Sequence, residues 1–335
     1  MSTTDPSACD SRDACLYVGA LTLEPDDDAS ELALPALRRL VARAERDTVR
    51  VRDALAFVAW SAGVDEAALP VAALCRFGET GARDAQQWLR AEPVCLQPAQ
   101  DTLHLYSAAA PADVDAEGAM LRAVAAHVAD DGWELEVAAP RSWYLRAPDG
   151  LECTTTPPGR VPGGDVYAAM PGGPDGARVR SLINDVQMLI HADHAAVAPA
   201  VNTLWPWGEG RGDRVPARPD GAVAPAFSAH PLMQGLWRHW ETPCVAPDGA
   251  AQALATGPAF VAMPALPRGR LGLEGLERDW LAPLLDALSR ARVHAVTVVL
   301  GRGLRLRLDR RALRRLWRRP ASLAATVATL TGTPS

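Results

Sequence analysis

Apolar positions recur along the chain at two spacings, and these predict its helices and strands. Spacing near 3.6 residues predicts helices in 34–44, 51–59 and 120–128. Apolar or alternating runs predict strands at 15–23, 102–106, 133–137 and, as two strands joined at Gly301, Arg302 and Gly303, at 292–309, followed by a basic helix at 310–319. Helices and strands alternate, so the predicted class is α/β, with mixed α+β as the alternative.

Proline and glycine divide this pattern into segments. Residues 154–178 contain five prolines and six glycines, which predicts a linker or a long crossing loop. The predicted organisation is an acidic tail (1–14), an N-terminal α/β half (15–150), a Pro/Gly-rich segment (151–178), a C-terminal α/β half ending in the basic helix (179–320) and a tail (321–335). We expect the two halves to pack together.

The chain has 335 residues and a net charge of −6, and all 34 of its basic side chains are arginine. The absence of lysine excludes P-loop nucleotide hydrolases, protein kinases, pyridoxal enzymes and class I aldolases, because each needs a lysine ammonium or amine at the reacting centre. The chain also contains no G-x-S-x-G, H-E-x-x-H or post-strand G-x-G-x-x-G motif. Composition and motifs therefore exclude reactions without selecting one.

Cysteine usage and the N-terminus predict a cytoplasmic protein. Six cysteines are scattered without a C-x-x-C pair, and we interpret most of them as buried small hydrophobic residues. The first residues are polar and acidic, unlike a secretory signal. No apolar run approaches the roughly 20 residues that a membrane span needs.

A polar stripe predicts a ligand site in the second half. Asn184, Gln187, His191 and His194 fall within an arc of about 80° on a helical wheel, and Leu182, Ile183, Val186, Leu189 and Ile190 occupy the opposite side. The stripe leads to a predicted loop at 205–210, where glycines would let backbone amides approach a ligand and indoles would form flat walls. The ligand-binding candidates are Asn184, Gln187, His191, His194, Asn202, Trp205, Trp207, Gly208 and Gly210. The alternative is that the stripe only hydrogen-bonds the loop that follows it.

His191 and His194, with Asp193, form a candidate metal pair, because residues three apart share a helix face. The sequence names no third or fourth protein ligand. We interpret the remaining histidines as packed or solvated: His104, His127, His230, His239 and His294.

The C-terminal segment 302–319 carries nine arginines and one acid, Asp309, a local charge of +8. The basic patch comprises Arg310, Arg311, Arg314, Arg315, Arg318 and Arg319. Such a patch suits nucleic acid, an anionic membrane surface, a phosphorylated ligand or an acidic protein partner. Residues 1–31, with a net charge of −7, could instead neutralise it within the chain. Nucleic acid is disfavoured because no groove-reading motif accompanies the arginines.

Several strings together resemble a proteobacterial family described both as pathogenicity-factor-type regulatory proteins and as cofactor-independent phosphoglycerate mutase-like proteins. They are WLRAEPV (88–94), PRSWYL (140–145), NDVQMLIH (184–191), VNTLWPWG (201–208) and LWRRP (316–320). The mutase resemblance lies around 191–210 and implies a phosphate-binding ancestry. It also implies a serine nucleophile beside two divalent metals, but here the first strand lacks the following Asp-Gly, and Asp193-His194 is the only Asp-His pair.

Three functions follow from this reading. The leading hypothesis is a non-catalytic, regulatory protein that binds a phosphorylated metabolite or a protein partner. The second is an active phosphoglycerate mutase-like isomerase, which would use His191, Asp193 and His194 with Mn²⁺ or Mg²⁺ as its cofactor. The third is binding of nucleic acid or an acidic partner through the C-terminal arginines.

Overall fold

The computed structural model describes residues 12–19, 32–100, 102–108, 114–161, 166–193, 201–220, 223–267, 269–315 and 317–318. The strands are β1 (Ala14–Val18), β2 (Glu45–Thr48), β3 (Gln87–Pro98), β4 (Leu103–Ser107), β5 (Glu134–Ala139), β6 (Ser142–Arg146), β7 (Thr203–Arg211), β8 (Ala226–Ser228), β9 (Cys244–Val245), β10 (Phe260–Met263), β11 (Ala295–Leu300) and β12 (Leu304–Asp309). The helices are α1 (Pro35–Arg43), α2 (Ala54–Ala62), α3 (Val71–Thr80), α4 (Val114–Ala129), α5 (Gly176–Asp193), α6 (Pro231–His239), α7 (Ala250–Thr256), α8 (Gly269–Gly275), α9 (Ala282–Ser289) and α10 (Arg310–Leu313). A π-helical segment, Leu276–Leu281, links α8 to α9.

Mixed α/β structure is confirmed, and the chain forms two compact units. Unit 1 comprises Met1–Ala68 and Pro216–Ser335, and unit 2 comprises Leu69–Val215. Unit 2 is therefore inserted into unit 1, whereas the sequence divided the chain into consecutive halves at 151–178. The described parts of the Pro/Gly-rich segment lie inside unit 2, where Thr154 and Gly172 form an isolated bridge.

Unit 1 is built on a seven-stranded sheet in the order β2-β12-β11-β1-β10-β8-β9. The central strand β1 is buried along its whole length and pairs in parallel with β10 and β11. Parallel strands that are buried on both faces are usually covered by helices on each side of the sheet. Leu16 of β1 belongs to a core with residues of α1 and α9, while Tyr17 stacks on Phe57 of α2 at 4.8 Å between ring centroids.

The predicted hairpin at 292–309 is confirmed. Strands β11 and β12 pair antiparallel around the Gly301–Gly303 turn, and β12 pairs on its other side with β2. Leu306 and Leu308 are buried on one face of β12. The basic helix predicted for 310–319 is wrong at the described residues 314, 315, 317 and 318, because α10 ends at Leu313. Arginines four residues apart in this segment repel one another on a helix, which disfavours its continuation.

Unit 2 is built on an antiparallel sheet in the order β4-β3-β6-β5. Strand β7 pairs with β3 along the side of β3 that does not face β4 and β6. The apolar faces of α4 and α5 pack into its core, where Met120, Val124, Val186 and Ile190 are buried. Helix α3, which the apolar pattern did not predict, also contacts β3 and β7.

The described cysteines form no disulfide, and Cys15, Cys75 and Cys95 among them are buried, as the sequence predicted. Within the described parts of the chain, no helix combines the length and apolar character required to cross a bilayer.

Candidate functional site

Residues 205–210, predicted to form a ligand-binding loop, lie within strand β7. The loop prediction is wrong because the segment pairs with β3 on both sides of a bulge, with Trp205 opposite Glu92 and Trp207 opposite Arg90. Gly208 and Gly210 leave room for neighbouring segments of the protein to approach the backbone of β7. A Cβ atom on Gly210 would lie 2.4 Å from Cα of Pro70, and the backbone N–H of Gly208 donates to Oγ1 of Thr155 at 3.0 Å.

Asn202 and Trp205 also make contacts within the protein. The side-chain amide of Asn202 donates to the carbonyl of Leu96 at 2.7 Å and accepts from its N–H at 2.8 Å, which extends the ladder between β7 and β3. The fully buried indole of Trp205 donates to the carbonyl of Thr156 at 2.8 Å. These residues therefore use on the protein the groups that the sequence assigned to a ligand.

The polar stripe of α5 does not converge on these tryptophans. The predicted apolar side is confirmed, since Leu182, Ile183, Val186 and Ile190 are buried. Asn184 and His191 are exposed, and Gln187 is half-buried. His194 and the side chain of Asp193 lie outside the described residues, so the metal pair stays a prediction. No three His, Cys, Asp or Glu side chains of the described residues come together as a metal site.

Among the clefts lined by described residues of unit 1, two lie at opposite ends of its parallel strands. At the carboxyl ends, where α/β sheets commonly bind ligands, a cleft of about 480 Å³ follows β8, β9 and β10. Its charged lining residues are Asp248, Glu274, Arg278 and Asp279. Arg278 is paired with Asp279 at 2.8 Å, which leaves the described lining with an acidic balance unsuited to an anion.

The second cleft, which we call the basic cleft, has a volume of about 620 Å³ and lies at the amino ends of the parallel strands. Its lining consists of Arg12, Pro258, Ala259, Ala291, Arg292, Val293, His294, Asp309, Arg310 and Arg311. The sheet topology explains this grouping. The residues that precede the parallel strands β1, β10 and β11 lie together at the same end of the sheet. The antiparallel strand β12 ends there, which places Arg310 and Arg311 beside them.

The basic cleft concentrates positive charge in an acidic protein. Four arginines and one aspartate lie in its lining, and one of the arginines, Arg292, pairs with Asp286 outside it at 3.4 Å. Oδ1 of the aspartate, Asp309, accepts from the N–H of Ala312 at 2.6 Å as the cap of α10. Arg310 and Arg311 are exposed, and neither forms an ion pair with a carboxylate of the described residues. The local field therefore favours an anion.

The other C-terminal arginines divide into neutralised and exposed groups. Arg307 pairs with Asp13 at 2.9 Å, Arg305 with Asp47, and Arg315 with Glu45 at 3.2 Å. Arg314 and Arg318 are exposed, and Arg319 lies outside the described residues. The predicted neutralisation by residues 1–31 is thus seen at Asp13, while Glu45 and Asp47 supply acids that the sequence did not assign to this role.

Sequence reasoning missed Arg12, Arg292 and His294 as members of the basic cleft. A usable signal was present, because Arg12 and Arg292 each stand two or three residues before a buried parallel strand. Parallel strands begin at the same edge of their sheet, so basic residues just before them can meet.

The similarity of this chain to known proteins is to solved structures alone. Over 94% of both chains, this chain is similar to the cofactor-independent phosphoglycerate mutase from Thermoplasma acidophilum, with 13% sequence identity and a TM-score of 0.46. It is similar to the PH0037 protein from Pyrococcus horikoshii with 11% identity and a TM-score of 0.46, over 89% of this chain and 87% of that one. No family model and no curated protein matches the sequence.

Proposed function

We propose that this protein binds a phosphorylated small molecule in the basic cleft and acts in regulation through that binding. The observation that carries the proposal is the cluster of Arg12, Arg292, Arg310 and Arg311 around a cleft of about 620 Å³. Guanidinium groups form paired, charge-assisted hydrogen bonds with phosphate oxygens. Small-molecule sites typically enclose about 300–1,000 Å³.

The composition of the cleft favours a small ligand over an extended polyanion. Pro258, Ala259, Ala291 and Val293 provide apolar walls beside the charges. A concave site with apolar walls and a few convergent polar groups is typical of metabolite binding. The cleft at the carboxyl ends of β8, β9 and β10 has an acidic lining and offers no comparable set of cations.

The proposal is tested by calorimetric titration with 3-phosphoglycerate and inorganic pyrophosphate, with glycerate as the unphosphorylated control. The variant is Arg310→Glu with Arg311→Glu. Each charge-assisted hydrogen bond contributes about 1.5–3 kcal/mol, so losing two weakens binding by about 100-fold or more. The matched control is Arg122→Glu with Arg218→Glu, which changes the net charge equally at two exposed arginines outside the cleft and leaves affinity unchanged.

Two outcomes overturn the proposal. One is the absence of binding by both phosphorylated probes, with tight, salt-sensitive binding of random duplex DNA in its place. The other is turnover: formation of 2-phosphoglycerate from 3-phosphoglycerate with added Mn²⁺, abolished by His191→Ala, would establish the isomerase instead.

A further inference from the structure

A buried carboxylate holds a histidine at the wall of the basic cleft. The side chain of Asp13 is 1% exposed, and its Oδ1 lies 3.1 Å from Nδ1 of His294, whose side chain is 54% exposed. Asp13 is itself fixed by Arg307, whose Nε donates to Oδ2 at 2.9 Å, and by Thr297, whose hydroxyl donates to Oδ2 at 3.3 Å. The carboxylate therefore has a defined position on the side of the imidazole that faces away from the solvent.

This contact selects one tautomer of His294. An ionised carboxylate only accepts hydrogen bonds, so the nitrogen facing Asp13 must carry the proton. In the neutral ring, Nε2 then carries the lone pair. A histidine held in this way by a carboxylate is the arrangement that prepares an imidazole for proton transfer or nucleophilic attack.

Phosphoryl transfer also requires positive groups that stabilise the charge on the phosphoryl oxygens, and the surroundings of His294 supply them. Arg292, Arg310 and Arg311 line the same cleft, and guanidinium groups stabilise the charge on the equatorial oxygens of a phosphoryl group during its transfer. Asp13, Thr297 and Arg307 lie on strands or strand ends of the same sheet. The Asp13–His294 pair is therefore anchored to the central sheet of unit 1. Imidazole, orienting carboxylate and arginines thus belong to one site.

We propose that His294 is a phosphoryl-accepting residue, modified at Nε2 by a small acyl phosphate bound in the basic cleft. The Nε2 lone pair forms the new N–P bond while the P–O bond to the acyl group breaks, and the electron pair leaves on the carboxylate product. The proton on Nδ1 stays in place, and Asp13 balances the positive charge that the ring acquires. This inference rests on the proposed function for the binding of the donor.

The experiment incubates the full-length protein with acetyl phosphate and maps the modification by mass spectrometry under neutral to alkaline conditions, where phosphohistidine survives. The expected result is one phosphoryl group on His294, attached to Nε2, and no labelling in His294→Gln. The matched control is His127→Gln, which removes another exposed imidazole and leaves the labelling intact. No labelling, labelling at other residues, or attachment to Nδ1 overturns the inference.

Asp13 acts here as a positioning residue, and it has its own readout. Long-range ¹H–¹⁵N spectra of the imidazoles show a single His294 tautomer with Nδ1 protonated, and Asp13→Asn converts it to a mixture. The same variant slows labelling by about tenfold or more, as loss of an orienting partner usually does. An unchanged tautomer and labelling rate in a folded Asp13→Asn protein would contradict this role.

Failure of this inference is distinguishable from failure of the proposed function. Pyrophosphate binding to His294→Gln should stay within about threefold of the wild type, because the arginines provide most of the attraction. Binding of pyrophosphate without labelling by acetyl phosphate overturns the phosphoryl-accepting role alone. Absence of both binding and labelling overturns both.

Discussion

Replacing Gly210 with alanine distinguishes a structural glycine from a ligand-binding one. A Cβ at this position would lie 2.4 Å from Cα and 2.5 Å from Cβ of Pro70, whereas ordinary contact begins at 3.4 Å. Strand β7 and the start of α3 must therefore separate by about 1 Å. The opposing atoms belong to a backbone and a rigid ring, so no flexible side chain can move aside.

The expected cost of Gly210→Ala is about 3 kcal/mol in the free energy of unfolding, the upper part of the range for overpacking a well-packed interior. It is measured by urea-induced unfolding followed by far-ultraviolet circular dichroism. The matched control is Gly159→Ala, because a Cβ at Gly159 meets nothing within 4 Å. The control should change the unfolding free energy by no more than about 0.5–1 kcal/mol in either direction.

One combination of results would refute this reasoning. If Gly210→Ala is no less stable than Gly159→Ala but loses affinity for 3-phosphoglycerate, the glycine serves a ligand. The site that the sequence predicted at 184–210 would then replace the basic cleft as the location of binding.

Two further predictions concern buried groups. Glu277→Ala should lower the free energy of unfolding by about 2–4 kcal/mol, because Glu277 accepts from the N–H groups of Ala36 and Leu37 at 2.6 and 2.8 Å, and both donors are left without their acceptor. Burial raises the pKa of the Cys75 thiol from 9.0 to about 11, so the unfolded chain releases this proton first. The free energy of unfolding should therefore fall as pH rises from 9 to 11, and less steeply in Cys75→Ala.

Each has a control in the same urea experiments. Glu274→Ala removes a half-buried carboxylate at the surface that is paired with Arg270, and such a surface pair contributes at most about 1 kcal/mol. Equal losses for Glu274→Ala and Glu277→Ala would therefore contradict the capping role. For Cys75, measurements at pH 8, where both states keep the proton, provide the baseline. A slope above pH 9 that is identical in wild type and Cys75→Ala would show that other groups cause it.

The candidate site shows where local patterns stop being informative. The helical wheel correctly placed the apolar side of α5 in the core, since a one-sided apolar stripe can be buried in only one orientation. It could not show that the polar side faces away from Trp205, because that depends on which element α5 packs against. The glycines at 208 and 210 were open to two explanations, and the close approach of α3 to β7 supplies the structural one.

The sequence by itself determined the elements whose burial pattern is local. The apolar runs of β1 and β11 predict strands that are buried on both faces. The one-sided apolar positions of β12 and α4 predict elements with one face in the core. Tertiary structure decided the order of strands, the insertion of unit 2 into unit 1 and the basic cleft. That cleft joins residues up to 299 positions apart, Arg12 and Arg311, and such contacts depend on which strands begin or end at a shared edge, a property that no local window of sequence contains.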